Sequence, residues 1–96
     1  MKPTEIFKSQ REFIRRVVES HRHHNPRLFA FVLYGEDLGE NDLDLLVENL
    51  PGATLQDLGA IQAELEKKLG IPVEVITPAD LPSKFRDRVL REAIAV

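Results

Sequence analysis

Three carboxylate residues are the part of this sequence best suited to chemistry. Asp42 and Asp44 stand two residues apart at the start of an aliphatic run, and Glu74 stands within a second such run. Side chains two apart on a β-strand leave the same face, so both aspartates are expected to point into one region. Clustered carboxylates repel one another unless a cation joins them, and hard oxygen ligands suit Mg²⁺ or Mn²⁺. The three residues are therefore candidate ligands for a divalent ion.

The same carboxylates also have a plainer interpretation. The Asp-x-Asp pattern is short, and an acidic strand end can simply face solvent, with Glu74 as an ordinary surface residue. The stretch is strongly acidic, since no lysine or arginine occurs between Arg27 and Lys67. Such a stretch persists either in a solvated loop or around a cation. The residues alone leave both interpretations open.

A second group of possible metal ligands consists of His21, His23 and His24. The first and last of these share a face if the first predicted helix continues that far. No further ligand cluster accompanies them, and imidazoles are favourable near the negative end of a helix dipole. A structural role is therefore expected. Tyr34 is expected to be a half-buried strand residue.

The hydrophobic pattern predicts six elements in the order helix, strand, strand, helix, strand, helix. The first helix covers Thr4–Arg22 and is ended by Asn25-Pro26, and a second helix covers Thr54–Leu69. The predicted strands are Arg27–Tyr34, Asp42–Val47 and Val73–Thr77. A last helical region starts at Thr77-Pro78, is divided by Pro82 and carries Ile94 in its apolar stripe. A strand–helix–strand passage implies a right-handed parallel crossover. We predict an α/β protein with a small mixed sheet of three strands and flanking helices.

This topology brings the candidate residues together. In a parallel crossover the starts of the second and third strands lie side by side, so Glu74 is expected close to Asp42 and Asp44. The helix between these strands has strong boundary signals, with Thr54 and Asp57 as a capping box and Gly70 at its end. On the last helix, Arg86, Arg88 and Arg91 are expected to form a solvated face, from which one could reach a phosphate.

Size and composition narrow the class of protein. With 96 residues, of which 43% are hydrophobic, one domain over residues 1–96 with one core is expected. The chain has no cysteine, and its longest apolar run is far shorter than a membrane span. The charged N-terminus does not resemble a signal peptide, so a cytoplasmic protein without a membrane partner is expected. The net charge of −3 argues against a nucleic-acid partner.

Two segments of the sequence resemble a known signature. Residues 28–35 and then 41–48 look like the pattern of the minimal nucleotidyltransferases, which belong to the DNA polymerase β-like superfamily. That pattern reads Gly-Ser, ten intervening residues, then Asp-x-Asp followed by aliphatics. Here the ten residues are Val32 to Asn41, with Gly35 at the internal glycine of the pattern and Asn41 where serine is usual. Residues 71–78 are similar to the strand that carries the family's third carboxylate.

The resemblance implies a fold, an activity and a set of site residues. It implies the polymerase β-like nucleotidyltransferase fold and the transfer of a nucleotidyl group, AMP from Mg-ATP, to a hydroxyl on a protein or small molecule. Mg²⁺ or Mn²⁺ would be the cofactor. The implied catalytic and metal-binding residues are Asp42, Asp44 and Glu74, and the implied nucleotide-binding positions are Ala30, Phe31, Gly35 and Asn41.

The chain departs from the family pattern at the phosphate-binding pair. The family's Gly-Ser falls on Ala30-Phe31, so a methyl group and a ring replace a bare backbone and a hydroxyl. This leaves three alternatives open: an enzyme, an inactive relative that binds a helical partner protein as antitoxin-like domains do, and a structural variant altered by degeneration or engineering to associate with itself, for instance as a homodimer.

Overall fold

The structure, a computed structural model, describes residues 8–29 and 43–96. Its elements in chain order are α1 (Arg11–Ser20), β1 (His23–Phe29), β2 (Leu43–Asn49), α2 (Leu55–Leu69), β3 (Val73–Ile76), a 3-10 turn (Pro78–Asp80), α3 (Ser83–Glu92) and β4 (Ile94–Ala95). None of the helices in the described residues has the length and apolar character that a membrane crossing requires.

The strands form one mixed sheet in the order β3-β2-β1-β4. β2 runs antiparallel to β1 and parallel to β3, and α2 makes the connection between β2 and β3. The predicted mixed sheet and its parallel crossover are therefore confirmed. The prediction of three strands was incomplete, because Ile94 lies beyond the last helix in a fourth strand, β4, and pairs there with Leu28 of β1. Ile94 is 57% exposed, so its side chain does not belong to a buried helix stripe, and the residue instead pairs at the sheet edge.

The first helix ends earlier than predicted, and Asn25-Pro26 does not end it. The last residue of α1 is Ser20, and Arg22 turns the chain with a φ of 57°. Asn25-Pro26 lies inside β1, where the register shifts between His24 and Arg27. A bulge of this kind accommodates proline, which cannot donate to the ladder, and Asn25 tolerates the positive φ of 51°. β1 thus begins four residues before the predicted start, and positions 30–34 of the predicted strand lie outside the described residues.

The boundaries of α2 agree with the prediction. Thr54 is its N-cap, and the Thr54 backbone N–H and the Asp57 carboxylate make one half of a capping box. The Asp57 N–H donates to the Thr54 hydroxyl to make the other half. Gly70 ends the helix with a φ of 72°, the left-handed conformation that glycine adopts at least cost.

The core has one layer on each face of the sheet. On one face α1 and α2 pack against the strands through buried aliphatic residues; these are Ile14, Val17, Val18, Leu28, Leu43, Leu45, Val47, Ile61, Leu65, Val73 and Val75. On the other face α3 packs through a second cluster, whose buried members among the described residues are Phe29, Leu46, Leu81 and Val89. The alternation of side chains along each strand therefore assigns every strand residue to the α1–α2 face or to the α3 face.

The connection from β3 to α3 is organised by local polar contacts. Thr77 and Asp80 form a second capping box around the 3-10 turn, and Pro82 separates this turn from α3 as predicted. The Arg86 side chain donates to the backbone carbonyls of Pro78, Ala79 and Leu81. Arg86 is therefore a half-buried structural residue, and its predicted place on a solvated face was wrong.

Candidate active site

A row of three residues crosses the sheet on the α3 face, at the end where β2 and β3 begin. Asp44 lies opposite Glu74 on the parallel strand β3 and opposite Phe29 on the antiparallel strand β1. All three face α3, because their strand neighbours Leu43, Leu45 and Val73 belong to the cluster on the other face. Adjacent strands lie about 4.8 Å apart, so Asp44 and Glu74 present two carboxylates to the same small region.

Two hydrogen bonds from backbone N–H groups fix how the starts of β2 and β3 align with each other. The Leu43 N–H donates to the Pro72 carbonyl oxygen over 2.9 Å, which continues the parallel ladder to the first residue of β2. The Val73 N–H donates to a carboxylate oxygen of Glu66 over 3.0 Å. Glu66 lies in the last turn of α2, so the crossover helix positions the start of β3 directly. Glu66 was not predicted as a site residue, since no residue pattern distinguishes it from the other charges on α2.

The two described carboxylates differ in exposure. Asp44 is 8% exposed, whereas Glu74 is exposed to solvent. A buried carboxylate needs hydrogen bonds or a cation, because an uncompensated charge in low dielectric is costly. An exposed carboxylate beside it remains able to contact a molecule that arrives from solvent. The pair therefore combines a buried carboxylate with an accessible one.

The donor set of this row fits a hard divalent cation. Mg²⁺ in enzymes is usually held by one or two carboxylates together with substrate phosphates, and Asp44 and Glu74 supply two carboxylates from adjacent strands. Among residues 8–29 and 43–96 there is no group of three or more histidine, aspartate or glutamate side chains arranged to hold a metal. Asp42, the third candidate ligand, lies outside the described residues.

The candidate nucleotide-binding positions also lie outside the described part of the chain. These are Ala30, Phe31, Gly35 and Asn41, together with Tyr34. Phe29, which directly precedes Ala30 in the sequence, is described and is buried beside Asp44. The chain therefore enters the segment that carries Ala30-Phe31 from the same row as the carboxylates.

The three histidines follow the C-terminal end of α1, away from the start of β2, and make separate contacts. His21 Nε2 donates to Glu64 Oε1 over 3.0 Å, and His24 Nε2 lies 3.9 Å from Glu48 Oε1. His23 is fully buried, and its Nδ1 donates to the His21 carbonyl oxygen over 2.7 Å. The expectation that His21 and His24 share a helix face was wrong, because His21 lies in a turn and His24 lies in β1. The structure assigns each of them a local structural contact.

The chain has been compared with known protein families, proteins and structures. No protein-family model matches it. It is 36% identical over 69 residues to a Methanocaldococcus jannaschii protein named "Putative protein adenylyltransferase MJ0435", with 72% of this chain and 74% of that protein covered. Its fold is similar to a solved structure described as that of a "putative minimal nucleotidyltransferase", with a TM-score of 0.79 and 34% sequence identity. That match covers 100% of this chain and 97% of the other.

Fold and sequence therefore agree. The mixed four-stranded sheet with its helices is the fold of the minimal nucleotidyltransferase in the solved structure, and the sequence relative bears an adenylyltransferase name. The resemblance noted in the sequence extends over the whole chain at the level of structure. This chain belongs to the minimal nucleotidyltransferase family of the DNA polymerase β-like superfamily.

Proposed function

We propose that this protein transfers AMP from Mg-ATP to a hydroxyl group, on a protein or a small molecule. One observation carries the proposal: Asp44 and Glu74 lie in register on adjacent parallel strands and face the same side of the sheet. The sequence relative named as a protein adenylyltransferase supports AMP as the transferred group and a protein as one class of acceptor.

The proposed reaction is a single displacement at phosphorus. The acceptor hydroxyl oxygen forms a bond to the α-phosphorus, and the bond from that phosphorus to the oxygen bridging to the β-phosphate breaks. Pyrophosphate leaves with the bonding electrons, and the hydroxyl proton passes to a carboxylate of the site. A bound divalent ion would supply charge neutralisation for the phosphates and a more acidic acceptor hydroxyl.

Each proposed residue has a defined part in this reaction. Asp44 holds the inner ligand position, and its burial keeps that position rigid. Glu74 completes the site from β3 on the acceptor side, where it is exposed. We assign Asp42 to the metal site with Asp44, and Gly35 and Asn41 to the nucleotide site with positions 30 and 31, on the family pattern that these residues match.

The test is calorimetric titration of Mg-ATP into the protein and into three variants. Asp44→Asn and Glu74→Gln each remove one charge with little change in shape, and Glu19→Gln is the matched control because Glu19 is an exposed glutamate in the last turn of α1. Loss of one charge-assisted contact should weaken affinity roughly tenfold in the first two variants only. Equal affinity in all four proteins, or absence of binding to the unaltered protein, would overturn the proposal.

A second function is favoured by the replacement of Gly-Ser with Ala30-Phe31. In this alternative the domain no longer turns over and instead binds a helical partner protein, in the manner of an antitoxin, or another copy of itself. Incubation with ATP labelled at the α-phosphate separates the two functions. Label transferred to a hydroxyl acceptor supports the enzyme, whereas nucleotide binding without any transfer supports the binding module.

A further inference from the structure

The three arginines of α3 differ in what they contact. Arg86 donates to three backbone carbonyls, and Arg88 pairs with Glu92, with 3.6 Å between the guanidinium nitrogen and the carboxylate oxygen. Arg91 is exposed, and no described residue forms a hydrogen bond or ion pair with its side chain. Within the part of the chain that the structure describes, Arg91 is therefore the arginine of α3 whose guanidinium has no protein partner.

Arg91 lines a groove on the α3 face of the molecule. The groove has a volume of about 470 Å³, and among the described residues it is lined by Asp87, Leu90 and Arg91. Residues three and four apart lie on one side of a helix, so Asp87 and Arg91 flank the groove one helical turn apart with Leu90 between them. Its described lining thus offers one cation, one anion and one apolar side chain.

The groove lies at the same end of the sheet as the carboxylate row. α3 starts after the end of β3 and finishes two residues before Ile94, which pairs with Leu28 near the end of β1. Leu90 packs on the cluster that contains Phe29, and Phe29 is the register neighbour of Asp44. The last turn of α3 therefore approaches the row that contains Phe29 and Asp44.

We propose that Arg91 binds the phosphates of the nucleotide and provides a charged donor beside the carboxylate row, in a chain whose sequence lacks the family's serine. This inference rests on the proposed function and deepens it by naming a phosphate-binding residue. A guanidinium presents several N–H donors in a planar fork that matches phosphate oxygens, and its charge is retained at all physiological pH values. A cation at the last turn of α3 can therefore hold phosphate near the carboxylate row without the family's serine hydroxyl.

Asp87 gives the proposal a second, opposite prediction. Its carboxylate lies one turn from Arg91 and repels an incoming phosphate, so removing its charge should strengthen phosphate binding. A merely structural role for these two exposed residues would not produce effects of opposite sign. The matched control is Arg88→Gln, which removes an exposed arginine charge from the same helix but does not alter the groove lining.

The experiment is calorimetric titration of inorganic tripolyphosphate without metal, at low salt, into the protein and its variants. We expect Arg91→Gln to weaken binding roughly tenfold, Asp87→Asn to tighten it severalfold, and Arg88→Gln to leave it nearly unchanged. Equal weakening by Arg88→Gln and Arg91→Gln would indicate a general charge effect and overturn the proposal. Absence of tripolyphosphate binding to the unaltered protein would overturn it as well.

A parallel titration with Mg-ATP distinguishes failure of this inference from failure of the proposed function. If Mg-ATP binds and depends on Asp44 but not on Arg91, the proposed function stands and the role of Arg91 is wrong. If tripolyphosphate binding depends on Arg91 but Mg-ATP binding does not depend on Asp44, the phosphate site stands and the proposed function is wrong.

Discussion

At the scale of single residues, the pair Ala30-Phe31 departs from the family pattern at the phosphate-binding position. The serine hydroxyl and the bare glycine backbone that the family uses for phosphate are replaced by a ring and a methyl group. The double variant Ala30→Gly with Phe31→Ser should bind Mg-ATP more tightly, because it restores a hydrogen-bond donor and close backbone approach. Calorimetry on the double variant and on each single variant separates the backbone effect from the hydroxyl effect.

The same substitution is expected to lower stability. The sequence pattern predicts that the strand continues through Ala30 and Phe31, and replacing a packed phenylalanine by serine typically costs about 3 kcal/mol or more. Glycine within a strand weakens it further. Thermal melts should therefore show a lower Tm together with tighter nucleotide binding. Equal or weaker binding by the double variant would show that Phe31 is not what limits this site.

Asp57 makes a residue-level contribution to stability that depends on pH. The Thr54 backbone N–H donates to its carboxylate and holds the pKa of Asp57 below its usual value of 3.8. A carboxylate whose pKa is lower in the folded protein stabilises that protein above the unfolded-state value, and this contribution is lost as the pH falls through the folded-state value. Above pH 4 the protein should therefore be more stable than its Asp57→Asn variant.

This difference in stability should shrink as the pH falls below about 3.8. Urea unfolding of both proteins between pH 2 and pH 6 measures this difference in stability. The window is suitable because it extends about two pH units on each side of an ordinary aspartate pKa. A difference that stays constant over the whole range would show that the Asp57 carboxylate is not responsible.

At the scale of elements, the two glycines of the α2 region predict opposite effects of one substitution. Gly70 adopts a φ of 72° at the helix end, and Gly59 lies within the helix; an added Cβ would meet no atom within 4 Å at either position. Gly70→Ala should destabilise by roughly 1 kcal/mol through backbone strain alone. Gly59→Ala should stabilise by about 0.5–1 kcal/mol, because alanine loses less backbone entropy in a helix.

Denaturant unfolding of the two glycine variants provides its own control, since the same methyl group is added in both. Stabilisation by Gly70→Ala would mean that the helix does not end in a left-handed residue. Destabilisation by Gly59→Ala would mean that the space around this position is occupied in solution.

The elements differ in how far the sequence predicts them. α2 could be bounded correctly because Thr54, Asp57 and Gly70 act through local contacts that depend only on neighbouring residues. β4 could not be predicted, because its two residues are strand only through pairing with distant Arg27 and Leu28. The early start of β1 was hidden for a similar reason, since Asn25-Pro26 usually breaks structure and is accommodated here by a bulge.

The same distinction applies to the candidate site. Alternation along β2 and the crossover topology were enough to predict that Asp44 and Glu74 lie side by side. The contact of Glu66 with the start of β3 and the contacts of Arg86 with three carbonyls depend on how the chain turns between two elements, and no residue pattern predicts that geometry. Resemblance to the family supplied the roles of positions 30 and 31, which physical reasoning from residue types did not provide.

At the scale of the whole molecule, the two faces of the sheet differ in what they carry. Among the described residues, the α1–α2 face carries the larger buried cluster, whereas the α3 face combines a smaller cluster with the carboxylate row and the groove beside Arg91. Substitutions of exposed residues on α1 or α2 should therefore affect binding little. The histidines lie at the end of α1 that is remote from the start of β2, so a metal bound there would be distant from the carboxylates.

The proposed function depends most on the claim that the carboxylates at the start of β2 and β3 hold a divalent ion. The direct measurement is line broadening in the amide NMR spectrum as Mn²⁺ is added in the presence of ATP. Broadening should concentrate at Asp42, Asp44, Glu74 and their neighbours, and should be lost in the Asp44→Asn variant. Broadening centred on His21 and His24, or unaffected by Asp44→Asn, would contradict the claim.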